Sequence, residues 1–379
     1  MRFNWKLFLH QLSTVFTRPR HPVFRLGWRR LRFYGAFLAL FLLGEVMSWL
    51  HFLLDHLLFP GFRRRRVTGP VFIVGNFRSG TTFLHRLLWQ DSETFTSLTT
   101  REIYVTPSIS QRRVWELLLR IDRHIGRPFH RFLEGVDRKL LSQVRFHRVS
   151  LKETEEDEGL LLYLWESLFT WFFFPTDGRE EDFFHFDERM SARRRQRIMR
   201  FYDYCLRRHI YAHRTSRIFL SKNPSFSAKV RSVAEHFPDA RFIYVQRRPG
   251  EVVPSMINWF SFVWSYFGNP RERFPYRDRI ADLAGEWESH ARRELAKLPA
   301  ERVHFVDFHE LVEDVKSTVE GIYRAFGIDI PQAMVATLEG AQQASREFVP
   351  HARLSLTDVG IDRESMPRRF PHSPYPESL

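Results

Sequence analysis

Only one cysteine, Cys205, occurs in the 379 residues, so no intrachain disulfide can form and nothing demands an oxidising compartment. Sitting in a helical period, it reads as a small buried apolar residue. Long apolar runs are also scarce. Residues 33–44 read FYGAFLALFLLG without a charge, and VMSWLHFLL follows Glu45. The first run falls short of the ~20 residues that cross a bilayer, and a span over residues 33–54 would put Glu45 near mid-depth at a cost of roughly 3 kcal/mol. No small-residue cleavage site follows, so a signal peptide is not expected. Internal repeats and low-complexity linkers are missing too, which excludes solenoids and long tethers.

Negative charge is what the first 66 residues lack. They carry twelve Lys or Arg against Glu45 and Asp55, whereas the remainder holds 46 against 42. The net charge of +14 is thus concentrated beside the longest apolar stretch. That argues against nucleic acid as a partner and suits a basic amphipathic surface on anionic lipid. Basic clusters at residues 25–32 and 63–66 flank the stretch on both sides and give no crossing direction. The opening MRFNWKLFLHQLSTVF mixes Phe3, Trp5, Leu7, Phe8 and Leu12 with Arg2, Lys6 and His10, as interfacial helices do. A peripheral position at the cytoplasmic face of a membrane is expected. The alternative is that these helices pack on the catalytic domain or form a dimer contact; the oligomeric state is not readable.

What is present in quantity is aromatic: 38 Phe and 16% Phe, Trp and Tyr together, a content that implies something large and apolar to cover or bind. Past residue 66 short apolar runs at 71–74, 218–220, 242–245 and 303–306 alternate with helical periods. This pattern predicts a parallel sheet covered by helices, an α/β three-layer sandwich spanning residues 67–379, with residues 1–66 as a helical extension. A helical insertion occupies about residues 100–215. Within it LLLYLWESLFTWFFFP, residues 160–175, reads as a helix apolar on nearly every face, deeply buried or lining a greasy cavity.

The strongest local signal is VFIVGNFRSGTTFLHRLLWQ, residues 71–90: a strand, a turn with Gly75 and Gly80, and an amphipathic helix from about Thr81. A helix start leaves about four N–H groups unpaired and carries partial positive charge, so it receives anions. Arg78, Ser79, Thr81 and Thr82 add side-chain donors there. The spacing is that of the nucleotide P-loop G-x-x-x-x-G-K-[ST], but Thr81 stands where the lysine belongs. A nucleotide kinase or NTPase is a rival reading, and the missing lysine argues against it.

R-S-G-T-T after a strand resembles the 5′-phosphosulfate loop of sulfotransferases that use 3′-phosphoadenosine 5′-phosphosulfate (PAPS), in the bacterial-type branch with arginine in place of lysine. The resemblance implies that residues 78–82, Gly80 included, hold the donor's 5′-phosphate and sulfate. It extends to QRRPGEVVPS, where Arg247, with Arg248 as its neighbour and competitor, and Ser255 eight residues on would bind the 3′-phosphate. It also takes in FLSKNPSFSAKVRSVAEHFPDARFIYVQR, where Lys222 would contact the sulfate or its leaving oxygen. Matching segments run to about residue 365, although the expected His-x-Tyr is imperfect, with His351 one place early and Leu354 for Tyr.

PAPS is the implied co-substrate, and no metal is expected. A hydroxyl acceptor benefits from a general base. Where cytosolic members of the family place a histidine, this chain has Pro224. A glutamate some twenty residues after the loop serves in another branch and is matched by Glu102, the expected base, with Glu156 or Glu158 of KETEEDEGL as alternatives. Arg78 and Lys222 would stabilise charge on the sulfuryl and leaving oxygens. The acceptor is expected to be a small molecule or lipid-like amphiphile, on polarity alone. A non-catalytic membrane scaffold that keeps a nucleotide pocket is the remaining reading.

Overall fold

Five short strands form one parallel sheet in the computed structural model, which describes residues 3–17, 27–136, 150–175, 181–267, 270–347 and 354–376. They are β1 (Val71–Gly75), β2 (Phe95–Thr96), β3 (Ile218–Lys222), β4 (Arg241–Gln246) and β5 (Val303–Asp307). Their order is β2-β3-β1-β4-β5, and every neighbouring pair is parallel. Four coincide with the predicted runs; β2, two residues long, is too short to leave a periodic signal. His351 and Arg353 lie outside the described residues, as do Arg2, Arg18, Arg20 and Arg25.

Side chains of the central strands alternate between two cores. Phe72 and Val74 of β1 enter one cluster with Phe242 and Tyr244 of β4, while Val71 and Ile73 enter the other with Ile243 and Val245. A sheet buried on both faces needs a helical layer on each, which gives the three-layer α/β arrangement.

The insertion contains the helices Thr100–Tyr104, Ile109–His124, Pro128–Val136 and Ala192–His213. Cys205 is buried on the last of these, and burial pushes its thiol up to about 12. Residues 160–175 depart from the continuous helix predicted. They are buried as expected, but fold as a 3-10 helix (Asp157–Leu164), a left-handed turn at Trp165 and a short helix, Thr170–Phe173. The reason is polar. Glu158, fully buried, accepts from Ser167 Oγ at 2.9 Å and the Leu168 amide at 3.0 Å. Glu166 meets Arg194 at 2.6 Å and Arg197 at 2.5 Å. A straight helix would bury both carboxylates without these partners.

The amino-terminal segment shares the larger core. In the helix Trp5–Thr17, Leu7 and Phe8 are buried, and Gln11 accepts from Trp165 Nε1 at 2.7 Å. Trp5 and Leu9 point outward. The helix Trp28–Leu58 is fastened along one side. Tyr34 donates to the Phe173 carbonyl at 2.7 Å, and buried Asp55 pairs with Arg208 at 2.9 Å and accepts from the Ile109 and Ser110 amides. Breaking a buried pair such as Asp55–Arg208 costs about 3–5 kcal/mol. This helix is long and apolar enough to cross a membrane, yet crossing would strip those bonds.

Glu45 also faces inward. Trp49 Nε1 donates to it at 2.6 Å, and burial raises its carboxyl to about 8. The fold favours the protonated form, so its contribution is full below the ordinary value of 4.5 and is lost as pH rises through about 8. Glu45→Gln is expected to melt with the wild type at pH 5 and several degrees above it at pH 9. A gap that does not change with pH would contradict this assignment.

Candidate functional site

The carboxyl ends of β3, β1 and β4 lie side by side, because β1 is the strand both others flank. Register aligns Ile73 with Lys222 and Gly75 with Val245, so Lys222, the loop after Gly75 and the β4 exit converge on one edge. Ligands of doubly wound sheets bind at such an edge.

The loop is tight enough to select its residues. Gly75 (φ 144°) leaves no room for a side chain, since a Cβ there would lie 2.4 Å from the Val245 carbonyl oxygen. Gly80 (φ 98°) is equally constrained, with the Phe308 ring 2.5 Å from the Cβ position. Ser79 Oγ donates to the Asn76 carbonyl at 2.7 Å and closes the turn. Ser79 and Thr81 are buried, whereas Arg78 and Thr82 are partly exposed. The helix Thr81–Trp89 starts at Gly80 without a side-chain cap or an acidic residue in its first turn, which leaves its amides and dipole for an anion.

Arg78 and Arg247 are in contact. Arg247 Nη1 donates to the Arg78 carbonyl at 2.8 Å, supporting Arg78 in its left-handed conformation (φ 69°), which costs a non-glycine residue roughly 1 kcal/mol or more. Arg78 Nε donates to Ser255 Oγ at 3.2 Å. Burial, and then the charge of Arg247, lowers the Arg78 pKa. Arg247 lies over the Phe308 ring at 4.3 Å and pairs with Glu251 at 2.9 Å. Arg248 is exposed. Sequence reasoning did not find Phe308, which backs both the Gly80 turn and Arg247; the adjacency of β4 and β5 that brings it there is a non-local fact.

Lys222, with its side chain inaccessible to solvent, pairs with Glu156 at 2.9 Å and lies 3.9 Å from Glu155. The neighbours of Glu156 explain its exposure. Asp157 is held by Tyr202 and by Asn223 Nδ2, at 2.6 and 3.0 Å, and burial raises it to about 6. Ser225 and Lys229 add to the grip on Glu158. With the residues after it pinned, Glu156 is left at the rim, 15% exposed, with Lys222 as its partner. The acidic run is therefore a partly buried network and not the solvated helix start that its charge alone suggests. Tyr104, also missed from sequence, has a half-exposed ring but a covered hydroxyl against Gly159. Burial of that hydroxyl and the charges of Glu155 and Glu156 raise it well above the ordinary phenol range.

Glu102, the base expected from sequence, sits in a different cluster. Its carboxylate closes a capping box with Thr99, pairs with Arg112 at 3.2 Å and His213 at 2.6 Å, and lies 3.8 Å from His209. Burial alone would raise its pKa, but Arg112 and the two histidines hold it well below the usual carboxylate range. Glu102, His209 and His213 converge as metal ligands can; the Arg112 guanidinium, 3.3 Å from His209 Nδ1, supplies a cation at that point. The Glu102 carboxylate is thus committed to Arg112 and His213 by ion pairs.

A family model described as the sulfotransferase family matches residues 70–332. Among curated proteins, the omega-hydroxy-beta-dihydromenaquinone-9 sulfotransferases Stf3 of Mycobacterium tuberculosis and Mycobacterium bovis are each 25% identical over 273 residues, or 68% of this chain. The match spans only 63% of those relatives. Among solved structures, sulfotransferase STF1 of Mycobacterium tuberculosis is similar at a TM-score of 0.68 and 20% identity, covering 97% of this chain and 92% of that one. STF9 of Mycobacterium avium is similar at 0.66 and 20%, covering 85% and 79%. Such likenesses establish the fold, and the family match extends over well over half of the chain. The protein belongs to the sulfotransferase family.

Proposed function

We propose that the protein transfers a sulfuryl group from PAPS to the hydroxyl of an amphiphilic, lipid-like acceptor at the cytoplasmic face of a membrane. The observation that supports this reading is the hydrogen bond from Arg247 to the Arg78 carbonyl, which keeps two partly buried cations close together at the end of the sheet. Residues 78–82 would hold the 5′-phosphosulfate, through the backbone amides of the helix start with Arg78 and Thr82. Arg247 and Ser255 would bind the 3′-phosphate, Arg247 exchanging its Glu251 partner for the anion. Bidentate guanidinium pairing makes such contacts strong.

In the transfer, the bond from sulfur to the 5′-phosphate oxygen breaks, a bond from sulfur to the acceptor oxygen forms, and adenosine 3′,5′-bisphosphate leaves. Charge spreads over the sulfuryl oxygens, so positioned cations are the main contribution of the enzyme. Lys222 and Arg78 are those cations. Glu156 is placed to take the acceptor proton, being the rim carboxylate beside Lys222. The acceptor reading draws on the apolar insertion and on the hydroxylated menaquinone in the names of the Stf3 relatives.

Three tests follow. Arg247→Ala is expected to weaken adenosine 3′,5′-bisphosphate binding about 10–100-fold by calorimetry; an unchanged affinity would remove it from the nucleotide site. Phe308→Leu is expected to weaken the same binding about tenfold or more, through loss of the ring that backs Arg247. Glu156→Gln is expected to cut turnover of labelled PAPS, assayed with a lipid extract, about 100-fold while leaving nucleotide binding intact. Glu102→Gln should lower Tm and leave turnover close to wild type, and the opposite pattern of turnover would return the base to Glu102.

A further inference from the structure

The helix Ile109–His124 buries several of its polar side chains and exposes an apolar stripe. Ser110, Arg112 and Asp122 are buried, while Val114, Leu117, Leu118 and Ile121 are 45–53% exposed, continued by Ile125 at 65%. A helix on a soluble domain carries its apolar stripe toward the core; here that stripe has no partner among the described residues. The helix Trp28–Leu58 repeats the pattern. Leu43, Val46, Leu50, Leu53 and Leu57, spaced three and four apart, are 49–69% exposed, on the side opposite its attachments at Ser48, Phe52 and Asp55.

These two helices are tied together. Asp55 accepts from the Ile109 and Ser110 amides at 2.9 and 2.8 Å, and Gln111 donates to Ser48 at 3.3 Å. Met47 and Leu58, next around the first helix from those ties, are exposed as well and carry the apolar surface toward the second. An exposed apolar surface of this extent marks an interaction site.

Its rim selects the partner. Arg113, Arg120 and Arg123 are exposed along the second helix and Arg127 just past its end, and residues 63–66, all arginine, are exposed just past the first. Glu116, which pairs with Arg113 at 3.0 Å, is the one exposed acid on the second helix. An apolar face edged by arginine matches an anionic lipid surface. A two-fold contact with a second copy would instead oppose arginine to arginine.

We propose that the outer faces of Trp28–Leu58 and Ile109–His124 together lie in the plane of an anionic lipid leaflet, as one docking platform beside the catalytic edge. The proposal rests on the amphiphile reading above and deepens it by naming the surface from which the acceptor is drawn. Tyr104 and Val105, exposed between the platform and the carboxylates at Lys222, lie on the route between them.

The test is co-sedimentation of the full chain with vesicles of phosphatidylcholine alone or mixed with phosphatidylglycerol, with adenosine 3′,5′-bisphosphate binding measured in parallel. Wild type is expected to partition into the mixed vesicles, less so as salt rises. Leu117→Asp combined with Ile121→Asp should lose about tenfold or more of that partition and keep nucleotide binding. Arg120→Gln with Arg123→Gln should weaken it on anionic vesicles. Wild type staying in the supernatant, or the aspartate variant binding as well as wild type, would overturn the platform. So would a dimer that dissolves with these substitutions in a protein that ignores vesicles. Vesicle binding by a protein that takes up no adenosine 3′,5′-bisphosphate would uphold the platform and sink the sulfotransferase reading alone.

Discussion

One hydrogen bond at the end of a parallel sheet, from the Arg247 guanidinium to the Arg78 carbonyl, sets the terms for the rest of this structure. Arg78 cannot leave, since its backbone is bent into a left-handed turn between two glycines that neighbouring atoms leave no room to replace. Arg247 cannot leave either, stacked on Phe308 and bonded to the Arg78 carbonyl. Like charges in that position repel, which is why burial and Arg247 together lower the Arg78 pKa. A doubly phosphorylated ligand would turn this repulsion into attraction.

The carboxylates near that edge are sorted by how many donors reach them. Glu158 and Asp157 are bound on several sides and fix the fold of the insertion. Glu102 is bound to Arg112 and histidines and fixes the start of a helix. Glu156, between the pinned residues and the rim, has Lys222. Proton transfer needs a group whose lone pairs are not all committed, and it is on this ground that Glu156 is proposed as the base.

The strand, turn and helix start at residues 71–89 and the strand-to-helix exit at Arg247 were legible because each lies in one run of residues. The sheet was legible for the same reason, except β2. What sequence could not resolve was non-local. Choosing between Glu102 and Glu156 requires knowing which segment docks beside β3, and nothing in either local pattern says so. Residues 160–175 read as a helix because their apolar periodicity is uniform, whereas the partners of Glu158 and Glu166, residues 194, 197, 225 and 229, lie far along the chain. Helical periodicity across the insertion does not say which face turns inward, and in Ile109–His124 Arg112 and Asp122 are buried while Leu117 and Ile121 are exposed.

The same fold carries the Arg78 and Arg247 edge, a buried apolar insertion and two helices with exposed apolar faces. The amino-terminal helices belong to the same body, tied in by Asp55, Tyr34 and Gln11. The most direct measurement is calorimetry comparing adenosine 3′,5′-bisphosphate with adenosine 5′-monophosphate. If one nucleotide bridges the two arginine corners, the bisphosphate binds at least about tenfold more tightly; equal affinities would mean that the corners do not act as one site.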